Sequence, residues 1–251
     1  MMEDQKEILI SSKKLTRKTI VAFIIFIVAI FAAISFWKWL HRQPEIADVP
    51  KPIRKVLSIN EKVFSKTLSD GHLVKTYPKS AAAKNVRFNG DLGLRSALDS
   101  SWKLKLVRKP GDTIFISLDE IKALPKTEII FDFKCIEGWS QISHWGGVKF
   151  SDFARKYNLY PQTQMNYAGL ITPDKKYYVG IDMASMMHPQ TLLCYEMNGK
   201  PLPLKHGYPL RLMMPVKYGI KSLKRIGTLF FSNTPPPDYW YERGYDYYSG
   251  L

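Results

Sequence analysis

Phe133-Lys134-Cys135-Ile136-Glu137-Gly138-Trp139-Ser140 is the stretch on which the reading of this chain turns. The residues before it, Ile129-Ile130-Phe131-Asp132-Phe133, alternate as a half-buried strand does. Cys135 therefore falls where a strand ends and a turn begins, and its sulfur can face a pocket. A thiolate in that position is a soft ligand suited to a transition metal. A buried structural cysteine is the competing reading of the same residue. The chain has one other cysteine, Cys194, within Thr191-Leu192-Leu193-Cys194-Tyr195. That run reads as a buried strand, so Cys194 is expected in the core rather than in a disulfide with Cys135.

The 251 residues carry a net charge of +15. Such a balance suits an anionic ligand, an anionic lipid surface or nucleic acid. The Lys and Arg residues are scattered and form no nucleic-acid-binding motif, so no nucleic acid is expected as a partner. Residues 19–37 contain no charge and, at helical rise, cover roughly 28 Å, close to the hydrocarbon thickness of a bilayer. Trp37 and Trp39 stand at one end, as an interfacial belt would. The apolar run exceeds that of a cleaved signal peptide, which favours an uncleaved anchor. Lys13, Lys14, Arg17 and Lys18 precede it, so the N-terminus is expected in the cytoplasm and the main domain outside. Thr16-Arg17-Lys18 resembles a twin-arginine export signal with Lys18 in place of the second arginine. The expected organisation is a cytoplasmic tail (1–18), a transmembrane helix (19–40), a linker and lead-in (41–80) and a globular domain (81–251). Pro44, Pro50 and Pro52 make residues 41–53 an extended linker.

Within the globular part, residues 55–68 pattern as a short helix. Residues 81–95 read as a strand-and-turn passage. Strands are expected at 102–107, 113–116, 129–133, 177–179, 191–197, 210–214 and 224–232. Ser117 and Glu120 have the spacing of a capping box at the start of a short helix. Residues 148–157 read as another helix, beginning at Ser151 or Asp152. Asn198-Gly199 is a hairpin signal. Gly146-Gly147 reads as a turn, and the tail from Pro235 as irregular surface packing. Many short strands with a few short helices define a mixed, β-rich α+β domain.

Four segments then carry a resemblance together. They are Cys135-Ile-Glu-Gly-Trp-Ser140 with Trp145-Gly146-Gly147; Tyr195-Glu-Met-Asn-Gly-Lys-Pro-Leu-Pro203; His206-Gly-Tyr-Pro-Leu-Arg211; and Lys217-Tyr-Gly-Ile-Lys-Ser-Leu-Lys224. In this order and spacing, from about Asn85 to the C-terminus, they resemble the molybdopterin-binding domain of the sulfite oxidase family. That family includes bacterial periplasmic methionine-sulfoxide reductases. The resemblance implies that Cys135 is the protein's ligand to molybdenum, in a molybdenum–molybdopterin cofactor (Mo-MPT). It implies that Arg211, Ser222 and Lys224, with Leu223 between them, hold the pterin phosphate, which needs cationic and N–H donors. His206 matches a cofactor-contacting position. Asn85, Phe88 and Asn89 align with an Asn-x-x-Tyr-Glu contact, with Phe and Asn standing for Tyr and Glu. Gly169 aligns with a threonine contact and offers its backbone. A tyrosine beside the metal aligns with Tyr177 or Tyr178, with Tyr178 preferred.

What this implies is a membrane-anchored oxidoreductase of the bacterial inner membrane, its catalytic domain in the periplasm. It would transfer oxygen atoms in two-electron steps on a small sulfur- or nitrogen-oxide substrate. The sequence has no Cys-x-x-Cys-His haem motif, so electrons would pass to or from a separate membrane cytochrome or quinone-linked protein. The competing reading is a domain of this fold that has lost turnover and serves as a membrane-tethered binding or scaffold module.

Overall fold

The structure is a computed structural model and describes residues 11–67, 71–97 and 99–251. Two compact units divide at Arg54 and Lys55. The first is dominated by helix α1 (Ser12–His41), which is long and apolar enough to cross a membrane. The Pro-rich stretch after it is not an extended linker. It folds into a small hairpin, β1 (Glu45–Ile46) against β2 (Val49–Pro50). Ala47 and Asp48 take left-handed conformations at the turn, and Arg54 donates to the carbonyls of Ile46 and Ala47.

Helix α2 (Lys51–Thr67) spans the boundary into the second unit, where the short helix of residues 55–68 was expected. The body of that unit is two five-stranded sheets. One contains β3 (Leu104–Lys109), β4 (Asp112–Ile116), β7 (Tyr167–Ile171), β8 (Tyr178–Asp182) and β12 (Thr228–Ser232), in the order β4-β3-β12-β7-β8. Only β3 and β12 run parallel. The other contains β5 (Lys126–Lys134), β6 (Ser140–Lys149), β9 (Leu192–Met197), β10 (Lys200–Pro201) and β11 (Arg211–Met213). Its order is β10-β9-β6-β5, with β11 also on β9. Short helices α3 (Leu118–Lys122), α4 (Phe150–Lys156), α5 (Tyr160–Thr163) and α6 (Met183–Met187) fill the connections.

The main core lies between the two sheets. Leu104, Leu106, Ile116, Leu170, Ile181 and Leu229 from the first meet Val148, Leu193 and Leu212 from the second, with Phe150 and Phe153 of α4 among them. A smaller cluster of Ile129, Phe131, Trp145, Cys194 and Met213 covers the other face of the second sheet. This alternation places successive residues of β5 and β6 on opposite faces.

The local signals behave as their chemistry requires. Ser117 and Glu120 form the reciprocal capping box, each side chain accepting the other's backbone N–H. Asn198 and Gly199 both adopt positive φ at the β9–β10 turn, the mirror-image geometry that matches strand twist. Helix α4 starts at Phe150 with Lys149 at the cap, earlier than Ser151 or Asp152, and Lys149 makes no side-chain cap. Two sequence readings fail. Residues 82–95 contain no strand. Gly146-Gly147 is not a turn but lies inside β6, at an irregularity in its pairing with β9. A Cβ on Gly147 would stand 2.2 Å from the Leu193 carbonyl oxygen, so only glycine lets the two backbones approach there.

Candidate active site

Cys135 sits in the tight loop that joins β5 to β6. Its N–H donates to the Trp139 carbonyl (2.9 Å), and its carbonyl accepts from Gly138 N–H (3.1 Å). The nine-residue register of β5 on β6 fixes the base of that loop. The thiol lines a cleft together with Asn89, His206, Arg211, Ser222 and Lys224. Neither cysteine is in a disulfide. Cys194 is fully buried in the smaller core cluster, and burial pushes its thiol up to about 12, so it is a packing residue.

The cleft collects cations from the second half of the chain. Arg211, at the start of β11, is 2% exposed. Its guanidinium donates to the carbonyls of His206 (3.1 Å) and Ser222 (3.2 Å) and lies 4.6 Å from the centre of the Trp145 ring. Its Nε is buried without a hydrogen-bond partner. Burial lowers its pKa to about 10, which leaves it charged at neutral pH. Lys224 donates to the carbonyls of Asn89 (2.5 Å) and Gly90 (2.7 Å). Desolvation, then repulsion from Arg211, brings its pKa down to about 7. His206, in a short 3-10 turn, is pushed down to about 4 by burial and by the neighbouring Arg211 and Lys224, so its ring is neutral. Gly207 follows at φ 104°, and a Cβ there would meet Lys224 Cα at 3.0 Å. Glycine thus lets the His206 turn close on the Lys224 segment.

On the other side Asn89 spans the site: its amide nitrogen reaches Cys135 Sγ (3.8 Å) and the Glu137 carboxylate (2.9 Å). Trp139 Nε1 donates to the same carboxylate (3.2 Å), and these bonds hold Glu137 below the usual carboxylate range. Arg87 stacks on the Trp139 ring at 4.6 Å.

The expected residues divide. Cys135, Asn89, His206, Arg211, Ser222 and Lys224 all line the cleft. Phe88 stands beside it, its ring edge-on to His206 at 6.0 Å and 4.5 Å from Lys224 Nζ. Leu223 packs in the core and bonds to Leu212 through its backbone. Asn85 is exposed outside the cleft lining, and its carbonyl accepts from Gln141. Gly169 lies in the middle of β7, paired on both sides and covered by the Phe230 ring, so its backbone does not reach the cleft. The two tyrosines point to different surroundings. Tyr177 lines the cleft, with its hydroxyl donating to the Ile220 carbonyl (2.5 Å). Tyr178 faces the opposite way and hydrogen-bonds Glu242, because adjacent residues of an extended strand point to opposite faces.

The sequence reading left out the C-terminal tail. Trp240 and Tyr245 line the cleft, with their rings 5.0 Å apart. Asp238, 1% exposed, anchors that turn. It pairs with buried Lys221 (2.5 Å) and accepts from the backbone N–H groups of Gly180, Trp240 and Tyr241. Lys217 and Lys221, four residues apart in an otherwise buried run, were the available signal: a charge in such a run requires a buried partner.

Residues 92–240 match the family described as the oxidoreductase molybdopterin binding domain, and the chain belongs to that family. It is a molybdopterin-dependent oxidoreductase of mixed α+β fold. Over 181 residues it is 36% identical to the putative protein-methionine-sulfoxide reductase subunit YedZ1 of Azospira oryzae, covering 71% of this chain and 68% of that one. It is 34% identical over 161 residues to the protein-methionine-sulfoxide reductase catalytic subunit MsrP of Xanthomonas campestris. That match covers 57% of this chain and 48% of MsrP, so the chain spans about half the length of that relative. The sulfane dehydrogenase SoxCD of Paracoccus pantotrophus matches with a TM-score of 0.49 and 17% identity, over 56% of this chain and 40% of that one.

The residues of the cleft fit such a cofactor. Among the described residues no group of three or more His, Cys, Asp or Glu could hold a metal. One thiol is a donor set for a metal whose other ligands arrive with an organic cofactor. The unpartnered Nε of Arg211 and the mutual repulsion between Arg211 and Lys224 call for an anion, as a phosphate would provide.

Proposed function

We propose that this chain is the membrane-anchored catalytic subunit of a molybdenum-dependent methionine-sulfoxide reductase. Residues 19–40 cross the bacterial inner membrane, residues 1–18 stay in the cytoplasm, and residues 41–80 lead into a catalytic domain (81–251) in the periplasm. The observation that carries the reading is one cleft in which a single thiol, Cys135, stands with buried Arg211 and with Lys224. Two relatives, both subunits of methionine-sulfoxide reductases, support the substrate and a separate electron-transfer partner. That partner is a membrane cytochrome or a quinone-linked protein.

The overall conversion is sulfoxide plus two electrons and two protons to thioether plus water. When bound, the molybdenum cofactor would supply the two-electron redox chemistry. Cys135 would hold the metal through its sulfur, and Asn89, whose amide nitrogen reaches that sulfur, would help to orient it. Arg211, Ser222 and Lys224 would hold the phosphate, and His206 would offer the same cleft a neutral ring. Tyr177 remains a neutral phenol, because burial raises its pKa. Together with Trp240 and Tyr245 it gives the cleft an aromatic lining suited to a thioether-sized group.

The test is turnover of purified protein with a reduced redox dye, against protein-bound methionine sulfoxide, free S-oxides, N-oxides and, in the oxidative direction, sulfite. Methionine sulfoxide is expected to give the highest kcat/KM. Turnover of sulfite alone would overturn the substrate assignment and leave the oxidoreductase class intact.

A further inference from the structure

Helix α2 presents two sides to different surroundings. On one, the Tyr167 hydroxyl donates to the Glu61 carboxylate (2.7 Å), and Phe64 stacks on Tyr248 with ring centres 5.7 Å apart. These contacts fix the helix to the catalytic unit. On another, Val56, Ile59 and Val63 are 62%, 49% and 51% exposed. At 100° per residue these three fall within a strip about 60° wide. Lys55, Lys62 and Lys66 are exposed along its edge, on the side away from the domain. An apolar strip flanked by lysines is the pattern of a helix lying in a membrane interface, its apolar side chains among the acyl chains and its lysines at the headgroups.

Chain continuity identifies the occupant. Only residues 42–50 separate the end of α1, the candidate span, from the start of α2. A chain held by α1 keeps α2 within a short tether of the bilayer surface. The lysines complement anionic phospholipid headgroups, each such residue near the surface adding to the attraction.

We propose that the Val56–Ile59–Val63 strip of α2 docks on the surface of an anionic bilayer and so sets how the catalytic unit stands over the membrane. The inference rests on the reading of α1 as a membrane anchor. A surface-bound α2, pinned to the catalytic unit through Glu61 and Phe64, would restrict the orientations in which the cleft meets a membrane-embedded electron donor.

The experiment uses the full chain in vesicles of phosphatidylethanolamine and phosphatidylglycerol. The photoreactive residue p-benzoylphenylalanine replaces, one at a time, Ile59 on the strip, Ser58 on the solvent side and Ile27 within α1. After illumination, mass spectrometry reads phospholipid adducts. Adducts are expected at Ile59 and Ile27 and not at Ser58. The triple variant Lys55→Glu, Lys62→Glu, Lys66→Glu is expected to lower the Ile59 yield severalfold without changing the Ile27 yield. Adducts at Ile27 without any at Ile59 would overturn the docking and leave the anchor standing. Absence at both positions would overturn the anchor and the docking with it. Equal yields at Ile59 and Ser58, or a yield unmoved by the charge reversal, would also overturn the inference. So would cross-linking of Ile59 to a protein instead of lipid in native membranes.

Discussion

Replacing Asp238 by alanine should cost more stability than almost any other single change in the catalytic unit. Asp238 and Lys221 are each 1% exposed. One carboxylate oxygen binds the Lys221 ammonium (2.5 Å) and the Gly180 N–H (3.1 Å); the other accepts from the N–H groups of Trp240 (3.2 Å) and Tyr241 (3.0 Å). Asp238→Ala leaves Lys221 with the Gly180 carbonyl (3.1 Å) and the face of Tyr247 (4.5 Å), and no counter-charge among these contacts. Removing one partner of a buried pair costs about 3–5 kcal/mol, mostly because the other charge stays buried. In a compact unit of roughly 200 residues each kcal/mol moves the melting temperature by about 2–4 °C. The melting temperature in detergent, read by intrinsic fluorescence, should therefore fall by roughly 6–20 °C. The double variant Asp238→Asn with Lys221→Met keeps an acceptor for the backbone N–H groups and removes the buried charge. It should recover at least half of the loss. A drop of under about 1 kcal/mol for Asp238→Ala, or a double variant no better than the single, would refute the claim that this pair pins the Trp240 turn to the cleft.

Three further outcomes follow from the geometry. His206 has its pKa lowered from 6.5 to about 4, so the folded cofactor-free protein binds fewer protons there than the unfolded chain between those values. Stability should rise with pH across that window and fall on acidification through it, and His206→Gln should flatten the slope in pH-dependent denaturant melts. Gly147→Ala places a Cβ against the Leu193 carbonyl and should destabilise the protein by about 1–3 kcal/mol, read by denaturant midpoint. Trp240→Ala opens the cleft wall and should raise KM for methionine sulfoxide more than it lowers kcat, because Trp240 makes no contact with Cys135 or Arg211 among the described interactions.

How far the sequence could be read depended on whether the determinant was local. The capping box at Ser117, the Asn198-Gly199 turn and the strand ending before Cys135 are written in adjacent residues, and each forms as its local chemistry requires. Gly146-Gly147 carries the residues of a turn, yet it lies in a strand because β9 presses its backbone against it. That pressure comes from residues nearly fifty positions away. Which of Tyr177 and Tyr178 lines the cleft depends on the phase of a strand relative to it, which a motif does not specify. Gly169 lies outside the cleft lining for a related reason: it is paired on both sides in the middle of β7. The tail was read as surface because it is rich in Pro and Tyr. Its burial follows from Asp238 meeting Lys221, a contact between distant segments. That Arg211 and Lys224 are cations is plain from the sequence, whereas their desolvation in one cleft is visible only in three dimensions.

The most direct test of the account is the molybdenum content of the purified full-length protein after expression in a host that makes the cofactor, measured beside Cys135→Ser. About one molybdenum per chain is expected in the parent. Loss of the metal or of its thiolate signature is expected in Cys135→Ser, with an unchanged circular dichroism spectrum. A parent chain without stoichiometric molybdenum, or a Cys135→Ser variant that keeps both metal and turnover, would contradict it.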